Sequence, residues 1–99
     1  MVQIAYDREK VADFCRRWKV KELSLFGSVL RDDFGPSSDV DVLVEFAPGG
    51  GVTFENRVEM LAELSAIFGR EVDLVEARLV RNPFRRHSIL NSKEVVYGA

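Results

Sequence analysis
Two aspartates in the stretch "SSDVDVLVEF" stand where chemistry is easiest to build. Asp39 and Asp41 are two residues apart, among valines that read as a β-strand. Strand alternation puts both carboxylates on one face, with Cα atoms roughly 6.5 to 7 Å apart along the chain. A carboxylate on an otherwise apolar strand is costly unless a cation, a donor or water meets it. A third aspartate, Asp73, sits in "EVDLVEA", a second alternating segment. If the two segments are neighbouring strands, Asp73 lies about 5 Å to the side and shares the polar face. Three carboxylates on two rigid strands would form an oxygen-only site that suits Mg²⁺ or Mn²⁺ better than zinc.

The pair alone is also what the solvated face of a one-sided sheet carries, and Asp39 could simply end a turn. A calcium loop of the EF-hand kind does not fit. After Asp41 come Val42, Leu43 and Val44, without the next oxygen ligand or the required glycine. Gly27-Ser28 adds a second kind of chemistry. Gly27 closes the apolar segment "ELSLF", and Ser28 is expected to open a short helical turn, "SVLRDDF". Backbone N–H groups at such a turn attract anions, glycine lets a phosphate approach, and the serine hydroxyl can donate to it. The Gly-x-x-x-x-Gly-Lys pattern of a P-loop is absent. A phosphate cradle beside paired carboxylates is the equipment for phosphoryl-type transfer from a nucleoside triphosphate.

These residues need a scaffold, and the rest of the chain supplies one. Asp7 can cap a first helix in which Val11, Phe14, Cys15 and Trp18 recur at helical spacing. Residues 22–26 and 39–46 read as strands, with "GPSS" (35–38) a turn between them. In the second strand Val40, Val42, Val44 and Phe46 fall on one face, and Asp39, Asp41, Leu43 and Glu45 on the other. After a flexible "APGGG", the residues Phe54, Val58, Leu61, Leu64 and Phe68 form a helical apolar stripe stopped by Gly69. Asn82-Pro83 starts a further short helix, and "EVVYG" (94–98) closes the chain as an edge strand. The expected architecture is α/β (α+β): a small mixed sheet with helices packed mainly on one face, as a single domain over residues 1–99.

Composition narrows the class. With 99 residues there is room for one modest core. The net charge of −2 gives no general attraction for nucleic acid, so no direct nucleic-acid binding is expected. No apolar run approaches the roughly 18 residues of a membrane span, and the start "MVQIAYDREK" lacks a signal peptide's apolar stretch. The expectation is a cytoplasmic protein with no membrane contact. The single cysteine excludes an internal disulfide and a Cys-rich zinc site, and Cys15 fits core packing.

Gly27-Ser28, ten intervening residues and Asp39-x-Asp41 together resemble the signature of the DNA polymerase β-like nucleotidyltransferase superfamily. Arg31 after the Gly-Ser turn, Ser38 before the first aspartate and Asp73 in a later "VDLV" fit the same pattern. The length and arrangement are similar to the minimal nucleotidyltransferases (MNT), antitoxins found beside HEPN-domain toxins. The resemblance implies the nucleotidyltransferase fold and a set of roles. Gly27 and Ser28, with Ser38, would bind the nucleotide, and Arg31 would either join them at the phosphates or pair with a nearby carboxylate to order the turn. Asp39 and Asp41 would hold two Mg²⁺ ions (Mn²⁺ as a substitute), and Asp73 would ligate the catalytic ion and help deprotonate the attacking hydroxyl. The implied reaction is AMP transfer from ATP to a tyrosine of the partner HEPN ribonuclease toxin. One departure is Asp32, where the family often has glycine. Asp32 and Asp33 read as solvated turn residues.

The chain has no room for an acceptor-binding domain, which favours an acceptor bringing its own surface, as a hetero-oligomeric partner; a homo-oligomer could also build the missing wall. Arg81, Arg85 and Arg86 with Arg78 and His87 are either a docking surface or a solvated helix face. Phe26 is placed to shape the mouth of the Gly-Ser turn, and Tyr97 to lie in an edge strand or touch a partner. Two rival functions stay in view: an antitoxin that neutralises by binding alone, and a small-molecule nucleotidyltransferase acting on antibiotics.

Overall fold
A computed structural model describes residues 4–31, 34–35 and 37–98. The first helix, α1 (Arg8–Arg17), begins where Asp7 accepts hydrogen bonds from the backbone N–H groups of Glu9 (2.9 Å) and Lys10 (3.3 Å). Such a cap is worth about 1 kcal/mol. Its inner face buries Val11, Phe14 and Cys15, as the spacing predicts. Strand β1 (Val20–Phe26) follows, then a single 3₁₀ turn over Gly27–Leu30. The turn starts one residue before Ser28 and ends at Arg31, so it is shorter than the helical stretch expected through residue 34. The readings of Asp32 and Asp33 lie outside the described residues.

Strand β2 (Val40–Phe46) pairs antiparallel with β1 and parallel with β3 (Val72–Glu76). The final strand, β4 (Glu94–Tyr97), pairs antiparallel with β1. The sheet order is β3-β2-β1-β4, a mixed sheet with β4 at one edge. Tyr97 lies opposite Leu23 and packs against the main core, which makes it an edge-strand residue.

Helix α2 (Phe54–Phe68) makes the crossover between the parallel strands β2 and β3. Thr53 and Asn56 cap it reciprocally, and Gly69 ends it in the left-handed conformation (φ 68°). Its buried face corrects the expected stripe. Phe54 is 96% and Val58 74% exposed, while Met60, Leu64 and Phe68 are buried with Leu61 and Ile67 partly so. At about 100° per residue, Val58 lies roughly 120° around the helix from Leu64. The inward arc is centred on Leu64 and runs from Ile67 to Leu61, so Val58 points away from the sheet, and Phe54 lies just past the edge of the arc in the first turn.

Two clusters result. On one face of the sheet, α1 and α2 cover Leu23, Leu25, Val40, Val42, Val44 and Leu74. The two helices are clasped by Glu63, which accepts from Arg17 Nη1 and from Trp18 Nε1, each at 2.5 Å. On the other face Phe26, Leu43, Val80 and Ile89 form a smaller cluster under α3 (Pro83–Ser92). Helix cover is therefore mainly, but not wholly, one-sided. No helix among the described residues is long and apolar enough to cross a membrane.

Candidate active site
The smaller cluster is the floor on which the carboxylates stand. In the ladder, Phe26 is the partner of Asp41, and Asp41 is the partner of Asp73. Paired residues in adjacent strands project to the same face, so these three form one row across β1, β2 and β3. That row explains the puzzle of a charged residue in a central strand. Asp41 is half-buried, and it lies at the end of the sheet where β1 gives way to the Gly27 turn. Asp39 precedes the first ladder residue of β2 and is exposed, as is Asp73.

Electrostatics tie the three together. Asp41's pKa is raised above the ordinary carboxylate value, first by burial and then by the negative charges of Asp73 and Asp39. Arg31 and Arg85 act in the opposite direction. The sequence had left Arg31 undecided and grouped Arg85 with a surface cluster. The structure divides that cluster: Arg78 is paired with Glu76, Arg86 donates to the Ala77 carbonyl (2.8 Å), and Arg85 acts on Asp41. His87 shares a hydrogen bond with Asn91 (2.8 Å) and takes no part in the carboxylate group.

Gly27 joins the turn to the carboxylates. Its φ is +76°, and a Cβ built there would sit 2.2 Å from Asp41 Oδ2. Both the conformation and the space therefore demand glycine. Beyond it an open groove of about 650 Å³ runs between the turn and α3. Phe26, Gly27, Leu30 and Arg31 form one wall, and Ser88, Ile89 and Ser92 of α3 the other. The carboxylates do not line this groove, and Gly27 is the point where the two meet. Ser28 is half-buried within the turn, its carbonyl accepting from the Arg31 N–H (2.9 Å). Ser38 is differently employed. Its hydroxyl accepts from the Gly35 N–H (3.1 Å) and its own N–H donates to the Gly35 carbonyl (3.1 Å), which closes the "GPSS" turn.

Among the described residues, no three Asp, Glu, His or Cys side chains are gathered into a cage for one ion. Magnesium does not require one, since it characteristically takes one or two carboxylates and completes its shell with water and substrate phosphate. The donor set here is oxygen only, and a cation would offset both the burial that chiefly raises Asp41's pKa and the repulsion from Asp73 and Asp39 that adds to it. The residues fit a divalent ion on those grounds.

One arginine beside the Asp39 segment escaped the sequence. Arg70, between Gly69 and β3, donates from Nη1 to the carbonyls of Gly35 (2.6 Å) and Ser38 (3.2 Å), and its guanidinium lies 4.5 Å from the centre of the Phe34 ring. No motif marks it, because its reach across the chain appears only once the strands are paired.

The geometry matches known proteins. The family described as nucleotidyltransferase domain matches residues 8–96. A protein of Methanocaldococcus jannaschii assigned as a protein adenylyltransferase is 33% identical over 81 residues, 82% of this chain and 79% of that one. A toxin–antitoxin complex solved with AMP-PNP superposes with a TM-score of 0.73 at 21% identity, over 94% of this chain and 74% of that one. The Shewanella oneidensis MNT antitoxin in complex with a tri-AMPylated HEPN toxin gives 0.64 at 20% identity, over 93% and 70%. At those identities the two structures speak to the fold. The family match spans nearly the whole chain and includes both the Gly-Ser turn and the three aspartates: the chain belongs to the nucleotidyltransferase domain family.

Proposed function
We propose that this protein is a Mg²⁺-dependent protein adenylyltransferase and the antitoxin of a toxin–antitoxin pair, moving AMP from ATP to a tyrosine of a HEPN ribonuclease. The observation that carries the reading is the row Phe26–Asp41–Asp73 abutting the Gly27 turn, which sets paired carboxylates beside a phosphate cradle. Relatives named protein adenylyltransferases support the reaction class. The structural neighbours, a complex with AMP-PNP and an AMPylated HEPN toxin bound to its antitoxin, support the nucleotide and the partner.

In this reading residues 1–99 form one minimal nucleotidyltransferase domain. The Gly27–Ser28 turn receives the triphosphate, with Arg31 and Arg85 balancing its charge and Ser38 holding the approach to Asp39. Asp39, Asp41 and Asp73 would hold Mg²⁺, which when bound neutralises the phosphates and the developing charge on the leaving group. Asp73 accepts the proton of the tyrosine hydroxyl. The phenolic oxygen then forms a bond to the α-phosphorus, the bond from that phosphorus to the bridging oxygen of the β-phosphate breaks, and pyrophosphate leaves. ATP as co-substrate fits a cytoplasmic location.

The test is intact-mass measurement of the cognate HEPN protein after incubation with this protein, ATP and Mg²⁺. The expected result is a gain of one or more AMP units, absent with Asp39→Ala/Asp41→Ala. An unchanged partner, with turnover seen on an antibiotic instead, would replace the protein acceptor with a small molecule. Full neutralisation by the double mutant would show that binding alone suffices.

A further inference from the structure
Asp39 is the one carboxylate of the three that lies outside a strand, so something other than the ladder must fix it. The peptides on its two sides are held by consecutive residues. On the C-terminal side, the Val40 N–H donates to the Glu71 carbonyl (2.9 Å). On the N-terminal side, the Ser38 carbonyl accepts from Arg70 Nη1 (3.2 Å), which also donates to the Gly35 carbonyl (2.6 Å). Phe34, partly buried against the main core, lies under the same guanidinium and anchors the arrangement. Arg70 and Glu71 in turn lead directly into β3, whose second residue is Asp73.

We propose that Arg70 is a positioning residue for the metal–nucleotide site: it fixes the backbone before Asp39 to the segment that carries Asp73, so that two ligands from distant parts of the chain keep a constant separation. This rests on the functional reading above. A partly buried guanidinium donating to two main-chain carbonyls and stacked on an aromatic ring is rigid, and rigidity in the support of a ligand is what preserves metal affinity. Lysine at this position retains the charge and the donor but lacks the planar guanidinium that lies over the Phe34 ring, so it restores the clamp only in part.

The experiment is calorimetric titration of Mn²⁺·AMP-PNP into the wild type, Arg70→Met and Arg70→Lys, at a temperature where circular dichroism shows each variant folded. Amide exchange is followed at Ser38, Asp39 and Val40 in the same samples. Arg70→Met is expected to weaken binding about tenfold, with Arg70→Lys intermediate, and to speed exchange at these amides while leaving β1 protected. Should Arg70→Met fail to fold, the lysine variant carries the comparison alone, and wild-type affinity in it overturns the proposal. Folded Arg70→Met that binds like the wild type shows that Arg70 serves stability only. A wild type that binds no Mn²⁺·AMP-PNP removes the functional reading itself, and the positioning role falls with it.

Discussion
The two faces of the sheet are built from the same strands but to opposite specifications. The face under α1 and α2 is closed: Leu23, Leu25, Val42 and Val44 are wholly buried, and the helices above them are clasped through Glu63. The face under α3 is closed only around Leu43, Phe26, Val80 and Ile89, and its other end carries Asp41 and Asp73. Strand β2 serves both, with valines down and aspartates up. The closed face supplies rigidity, and the open face spends it by holding like charges close together. A small domain can place repelling carboxylates on a sheet because the same strand's other side is anchored in core.

The largest effect should come from removing charge on the open face. Asp41→Asn or Asp73→Asn is expected to lower AMP transfer on the order of 10³-fold or more with an unchanged circular dichroism spectrum. A variant that kept wild-type rates would end the distinction between the faces. Gly27→Ala comes next, because a Cβ at that φ would drive into the Asp41 carboxylate. Transfer should fall about 100-fold, and urea denaturation should show a loss of about 1–3 kcal/mol. On the closed face, Leu64→Ala is expected to cost about 3–4 kcal/mol by urea denaturation, and Ile89→Ala, in the smaller cluster, about 2 kcal/mol. Equal costs would mean that the smaller cluster is a second full core.

A further prediction has the opposite sign. Asp41's folded pKa is raised, so between its unfolded and folded values the folded state binds the proton more strongly. Stability is therefore lost as pH rises from the ordinary carboxylate range through the folded pKa. In metal-free buffer at neutral pH, Asp41→Asn should melt about 1–3 °C higher than the wild type, and the difference should vanish below about pH 4. Added Mg²⁺ should stabilise the wild type and not this variant. A lower melting point for Asp41→Asn would show that the carboxylate helps hold the sheet. The smallest effect belongs to Phe54→Ser, on the exposed first turn of α2, where a change within about 0.5 kcal/mol is expected by thermal melting.

Much of the open face is legible in the sequence. Alternation in "DVDVLVEF" separated Asp41 and Leu43 from the valines, and the Gly27-Ser28 spacing named the turn. Alternation cannot give register, however. That Asp41 stands beside Asp73 rather than one step along depends on how β2 and β3 pair, which the parallel ladder alone reveals. The helices were less transparent. In α2 two apolar arcs overlap, and Phe54 and Val58 matched the period while lying outside the arc that the sheet covers. Arginines were least legible, since a long side chain can reach in many directions. Nothing in the sequence separates Arg70, at the Gly35 and Ser38 carbonyls, from Arg78, paired with Glu76.

The parallel pairing of β2 with β3 also has a kinetic meaning. β1 and β2 are consecutive strands and can zip together around one connection, whereas β3 reaches its place only when the long crossover that contains α2 closes. Contacts of that kind are the slow ones in folding. Asp73 arrives with β3, and Arg70 and Glu71, which hold the backbone on either side of Asp39, arrive with it, so the set of three carboxylates is completed only by this last, long-range pairing.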